Sequence, residues 1–322
     1  MFEFISIYTS LFFILLGFDI GVLSGFFGVG GCFILTPLLN ILGLPMASAV
    51  GSGVFFALIV SSLGGIKHYL AGNALIKVSI IMGLLSFIGI QISQPLVLYL
   101  DTIHLAGFYI RLLYIIILLT LGLLTLKKKT PNSSVYNGGC EMPSKIMKQF
   151  KDLPPKILIE SNTLPISIWP MVIIALVVGC LKGFLGVGGG FILVPVLIIF
   201  LDMKPHHAIG TSLVMVAISS IFATFLYFQA GKVLLQVSLL LGLGSLAGVS
   251  FGVSATCNIS GGKLKQLYSI FLLLTSIGII IKSLGYNKFS MIYMLILCIA
   301  MGLLVLFVFY FKNRDFFLHK SE

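Results

Sequence analysis

Two stretches of the chain read almost alike: GFFGVGGCFILTPLL at residues 25–39 and GFLGVGGGFILVPVL at residues 183–197. Glycines clustered in apolar sequence act through the backbone. Each costs a continuous helix about 1 kcal/mol relative to alanine, and each admits positive φ and close approach of another group. A break of this kind ahead of a short helix leaves first-turn N–H donors and the positive end of the helix dipole available to an anion. Gly28, Gly30 and Gly31 in the first phrase, and Gly186, Gly188, Gly189 and Gly190 in the second, are therefore candidate substrate-binding positions. The alternative role for any one of them is close helix packing. Lys182 directly precedes the second phrase, inside an apolar run. An ammonium there either faces a cavity or partner, adding to the hold on an anion, or snorkels to an interface. Ser24, Ser52, Thr211 and Ser212 place hydroxyls beside the breaks, for a ligand or for their own helix. Asp19, in the first apolar span, is a candidate to counter Lys182 or to carry a coupling proton or cation.

Other chemistries find no support. The glycine phrases lack the Gly-Lys-Ser/Thr ending of a phosphate-binding loop, and no histidine–glutamate cluster suggests a membrane metalloenzyme. His206 and His207 are adjacent, so from a helix they do not face one ion together. The cysteines have no metal spacing and read as small packing residues. These observations imply no enzyme, no metal and no cofactor.

Composition supplies the setting. Of 322 residues, 59% are hydrophobic and 9% charged, and the mean hydropathy is +1.16. That is too few charges for a soluble surface, and the apolar runs approach the roughly 20 residues a bilayer core requires. The net charge of +11 sits mainly in short loops, as topology signals and lipid-headgroup contacts do, and does not point to nucleic acid. Candidate spans are Tyr8–Gly28, Ala47–Ile66, Ile76–Leu100, Leu105–Leu126, Ile168–Gly186, Ala208–Phe228, Val233–Ala255, Leu267–Ile281 and Met291–Phe311. Two short segments, Phe33–Leu44 and Phe191–Leu201, each follow a glycine phrase.

The similarity extends well past the phrases. A shift of 158 gives 11 identities in the 16 residues from 24 to 39, and a shift of 159 then superposes Gly51 on Gly210, Gly72 on Gly231 and Gly89 on Gly248. The chain thus reads as a duplication: a first transmembrane repeat (1–126), a basic cytoplasmic linker (127–165), a second repeat (166–283) and an added C-terminal helix and tail (284–322). Within the linker, residues 143–154 resemble an interfacial amphipathic helix. With the linker lysines inside and each short segment crossing, Lys204, Lys263, Lys265, Lys312, Arg314 and Lys320 fall inside; Lys232, Lys282 and Lys288 fall outside. That count favours five crossings per half, which inverts the second repeat relative to the first. The expected fold is an all-α polytopic membrane protein, two inverted repeats with glycine-broken short helices and about 9–11 membrane segments.

The twin phrases, with "GCLKGFLGVGGGFILVPVLIIFLDMKPHHAIGTSL" from the second half, resemble the signatures of the sulfite exporter TauE/SafE family, also called TSUP permeases. The second copy is the cleaner; the first has Cys32 in place of Gly190, and Gly51-Ser52-Gly53 in place of Gly210-Thr211-Ser212. The resemblance implies a multi-pass secondary transporter of the plasma membrane, of the bacterial inner-membrane type. It would move, and by the family's name export, sulfite, an organosulfonate or a related small anion by alternating access. Its partners would be the small anion, the lipid bilayer and a coupling proton or cation. An anion channel, or a permease for an unrelated carboxylate, is the alternative.

Overall fold

In the computed structural model the described residues are 7–127, 156–157, 166–186, 189–200, 203–257 and 259–318. They form eleven helices: α1 (Ile7–Phe27), α2 (Cys32–Ile41), α3 (Met46–Leu70), α4 (Ile76–Thr102), α5 (Ala106–Lys127), α6 (Ile168–Leu185), α7 (Gly190–Phe200), α8 (Pro205–Gln229), α9 (Leu235–Cys257), α10 (Gly261–Ser283) and α11 (Asn287–Leu318). Among the described residues nine helices are long and apolar enough to cross a bilayer; α2 and α7, with 10 and 11 residues, are not. Backbone groups in hydrocarbon have no water to bond, which is why each apolar run closes its ladder internally as helix. A two-residue antiparallel pairing, Lys156–Ile157 with Ile166–Ser167, stands just ahead of α6 and was not expected from the sequence. The interfacial helix expected at 143–154 lies outside the described residues.

The outer face is apolar. Leu15, Ile92, Phe225 and Leu243 are each at least 60% exposed, a pattern suited to lipid rather than water. With lipid outside, helix pairing must come from close packing. α1 lies along α9, and glycines from both helices line the seam. A Cβ added at Gly17 would overlap the carbonyl of Leu241, and one at Gly244, Gly248 or Gly252 would overlap those of Ile14, Phe18 and Val22. α4 and α6 pack the same way, with Gly89 against Leu176 and Gly179 against Ser86.

These pairings are reciprocal. In the register of the sequence repeat, α1 corresponds to α6 and α4 to α9, so the α1–α9 and α4–α6 seams exchange when the halves exchange. Of the other inter-half contacts, α3 with α8 and α5 with α10 join an element to its own counterpart, while α4 with α8 and α3 with α9 exchange as the seams do. α11 has no counterpart and packs on α10, α1 and α9.

The seam generates a prediction. Gly248→Leu, forced into the Phe18 carbonyl, should separate α1 from α9, with loss of the monodisperse peak on size exclusion and a sharply lowered Tm in detergent. Gly107→Ala, whose Cβ meets nothing nearer than 3.8 Å, should leave both unchanged.

Candidate functional site

α1 ends at Phe27 because Gly28 turns left-handed, with φ 73°; Gly31, at φ 75°, then caps α2. The second phrase repeats the geometry, with Gly186 at φ 67° and Gly189 at φ 79°, between α6 and α7. A side chain would be strained at these four positions. Gly188, expected to belong with them, lies outside the described residues. The N–H of Gly28 closes α1 on the Ser24 carbonyl at 2.9 Å, and that of Gly186 closes α6 on the Lys182 carbonyl at 2.8 Å.

The two breaks meet. A Cβ at Gly190 would lie 2.6 Å from the carbonyl oxygen of Val29 and 2.8 Å from that of Gly28. Phe33 and Phe191, counterparts in the first turns of α2 and α7, stack with ring centroids 5.8 Å apart. The N-terminal ends of both short helices thus lie together in a buried region. Of their first-turn N–H groups, which fall outside the helical ladder, that of Ile192 is already bonded to the Gly189 carbonyl at 3.2 Å.

Each break is braced from the other half. Ser212 Oγ lies 2.7 Å from the Gly28 carbonyl and equally close to that of Ile209. Thr36 Oγ1 donates to the Gly186 carbonyl at 3.1 Å. These braces are not counterparts: the position matching Ser212 is Gly53, and that matching Thr36 is Val194. Gly53 leaves room for the threonine, since a Cβ there would come within 2.6 Å of Thr36 Oγ1. Ser52 and Thr211 are true counterparts with identical work. Ser52 Oγ accepts the N–H of Leu234 at 2.9 Å, and Thr211 Oγ1 accepts that of Leu75 at 3.0 Å. They fasten the starts of α9 and α4 and are spent on backbone.

Lys182 is 1% exposed. Its Nζ donates to Ser219 Oγ (2.6 Å), Ser220 Oγ (2.8 Å) and the Val216 carbonyl (3.0 Å), so all three ammonium donors are engaged by α8. Its counterpart in the first half is Ser24, and that of Ser220 is Ser61. Ser24 Oγ and Ser61 Oγ are both buried and bond to nothing among the described residues. Ser61 Oγ faces the first break, 2.8 Å from where a Cβ on Gly30 would stand. The second half therefore carries a saturated cation, and the first half two hydroxyls with their hydrogen-bonding capacity unspent.

Asp19 stands apart from this cluster. Its carboxylate packs on Gly302 of α11, and its buried Oδ2 has no partner among the described residues. The structure does not bring it to Lys182.

Sequence reasoning missed four side chains that hold the helix ends. Thr256 donates to the Phe26 carbonyl at 2.9 Å and Tyr114 to the Leu185 carbonyl at 3.3 Å, and the other two are counterparts. His68 Nε2 bonds the Gly25 carbonyl at 3.0 Å, so that nitrogen carries the proton, and Tyr227 donates to the Gly183 carbonyl at 2.7 Å. The 159-residue register superposes His68 on Tyr227 and was the signal available: two polar side chains matched across an apolar repeat.

With this geometry in hand, similarity to known proteins can be placed. A model of the family described as Sulfite exporter TauE/SafE matches residues 13–279. The chain belongs to the sulfite exporter TauE/SafE family. It is 24% identical over 287 residues to a probable membrane transporter protein of Methanocaldococcus jannaschii, covering 84% of this chain and 94% of that one. It is 25% identical over 284 residues to the probable membrane transporter protein YjnA of Bacillus subtilis, covering 84% of this chain and all of the relative. A probable membrane transporter protein of Xylella fastidiosa is 23% identical over 275 residues, with 84% and 92% covered. No solved structure matches the chain significantly. Family, relatives and the nine long apolar helices among the described residues together make this TauE/SafE protein a multi-pass transporter of the plasma membrane.

The uneven braces yield a paired test. Thr36→Val leaves the buried Gly186 carbonyl without its donor and should cost about 1–3 kcal/mol of stability, read as a lowered Tm in detergent. Adding Gly53→Ser reproduces the Val194 and Ser212 pairing of the other half and should recover most of the loss.

Proposed function

We propose that this protein is a secondary transporter that carries a small sulfur-containing or carboxylated anion, such as sulfite or an organosulfonate, by alternating access. The observation that carries the reading is the meeting of the two glycine breaks, which brings two short-helix N-termini to one buried place beside the Lys182 ammonium. Helix N-termini attract anions through their free N–H groups and dipoles. Lys182 adds a positive charge held rigidly by Ser219 and Ser220. Ser24 and Ser61 supply uncommitted hydroxyls on the first-half side. The substrate would lie between Gly28–Gly31 and Gly186–Gly190, with Ser52, Thr211 and Ser212 shaping the site through the backbone they hold.

Residues 1–126 and 166–283 act in this reading as two inverted repeats about that site, joined by a cytoplasmic linker. The reciprocal seams, α1 with α9 and α6 with α4, support it. Rocking of one half against the other would expose the breaks to each side in turn. Asp19, buried against the added helix α11, is the group proposed to take a coupling proton or cation. Export is the direction suggested by the family's description, and the same site would serve uptake under reversed gradients.

The test is flux into proteoliposomes loaded in turn with sulfite, thiosulfate, sulfoacetate and acetate, with and without a pH gradient. We expect saturable, gradient-driven movement of one anion, reduced at least tenfold by Lys182→Ala and made insensitive to the gradient by Asp19→Asn. Flux that never saturates and ignores every gradient would mean a channel. Saturable flux unaffected by Lys182→Ala would remove the breaks as the binding site.

A further inference from the structure

A second cluster of charge lies away from the breaks, at the end of the bundle where α2 finishes. There a cavity of about 670 Å³ is lined by Asn40, Asp101, His104, Arg111, Lys232 and Lys282, among others. Three cations share it with a single carboxylate. Lys232 is paired to that carboxylate, Nζ to Asp101 Oδ2 at 3.2 Å. Lys282, 8% exposed, has among the described residues only the neutral Asn40 Oδ1, at 2.5 Å. The buried Nε of Arg111 has no acceptor among the described residues.

Two positive charges in one cavity without counter-charge are costly, and an arriving anion removes the cost. The donor set also says which anion. A guanidinium offers a planar fork that matches two oxygens of one group, and an ammonium adds a point charge for a third. That combination suits a carboxylate, sulfite or sulfonate better than a halide.

Membrane topology gives an independent reason to look here. Lys232 and Lys282 are two of the three lysines that the charge count leaves on the outer face, against the usual bias. They therefore do not serve as topology signals, and their convergence on one cavity accounts for their presence.

We propose that this cavity is an anion-capture vestibule in which Arg111 and Lys282 hold a small oxyanion before or after its passage through the breaks. The proposal deepens the transport reading and rests on it for the substrate class. An anion on Lys282 competes with Asn40, a residue of α2 whose other side chain bond, Nδ2 to the Leu44 carbonyl at 3.0 Å, ties the end of that helix to the turn after it. Occupancy of the vestibule is thereby felt by the short helix that begins at the first break.

The experiment measures binding on the full-length protein in detergent, so it does not depend on flux. Tm is followed against sulfite, methanesulfonate and acetate, with chloride at matched ionic strength as reference. We expect a saturable rise with one or more of the oxyanions beyond chloride, its midpoint moved at least tenfold higher in Arg111→Gln and in Lys282→Gln, and partly restored in Arg111→Lys. Lys232→Gln, which removes a charge already neutralised, should move it less. Arg111→Gln breaks no hydrogen bond seen here, so it decides the matter if Lys282→Gln folds poorly. No rise beyond chloride in the wild type, or an unchanged midpoint in Arg111→Gln, overturns the vestibule. Arginine-dependent binding without proteoliposome flux would sink the transport reading alone, whereas gradient-driven flux with an unchanged midpoint would sink the vestibule alone.

Discussion

Everything in this structure turns on one constraint: a helix interrupted inside hydrocarbon must find partners for the backbone it frees. Among the described residues the chain interrupts itself at Gly28–Gly31 and Gly186–Gly189, and neither half partners all of the backbone it frees. His68 and Tyr227 act within their own halves, but the carbonyls at the breaks themselves are met from across. The Gly28 carbonyl is met by Ser212 and the Gly186 carbonyl by Thr36, each reaching across from the other half. The breaks survive because they are pressed together and braced. The same bracing brings the N-terminal ends of α2 and α7 to one place.

Much of the polar chemistry near the breaks is consumed in this way. Ser52 and Thr211 hold the first N–H groups of the segments entering α9 and α4. His68 and Tyr227 hold carbonyls of the last turns before the breaks. Among the described residues little remains free there: two serine hydroxyls in the first half, while the donors of Lys182 in the second are already taken. In the proposed transport reading the substrate must leave as readily as it enters, and a place with few uncommitted donors suits that need.

The eleven helices of the described residues were legible because hydrocarbon demands long apolar runs. Most bounds differ from the expected ones by a few residues, but α10 begins at Gly261 rather than Leu267 and α11 runs to Leu318 rather than Phe311. The glycine breaks were legible from their spacing and their repetition. Partnership was not. Nothing in the local sequence of Thr36 says that it serves Gly186, because that need arises only where its counterpart position, Ser212, has become Gly53 in the first half. Asp19 was weighed as a partner for Lys182, yet the added helix claims it through Gly302, a contact between residues distant in sequence and outside the repeat. The basic cavity also escaped notice, since Arg111 sits on α5, Lys282 on α10 and Lys232 in the turn between α8 and α9, and they converge only in three dimensions.

The uneven pair Lys182 and Ser24 has a consequence for how such a molecule can be assembled. Two identical subunits, each equivalent to one half, would repeat every residue about their axis. Two copies of the second half would bury a pair of ammonium groups around a single centre, and two copies of the first would bury none. Joining the halves in one chain lifts that restriction. It lets the centre carry one lysine rather than two or zero, an odd charge that no symmetric dimer of halves can have.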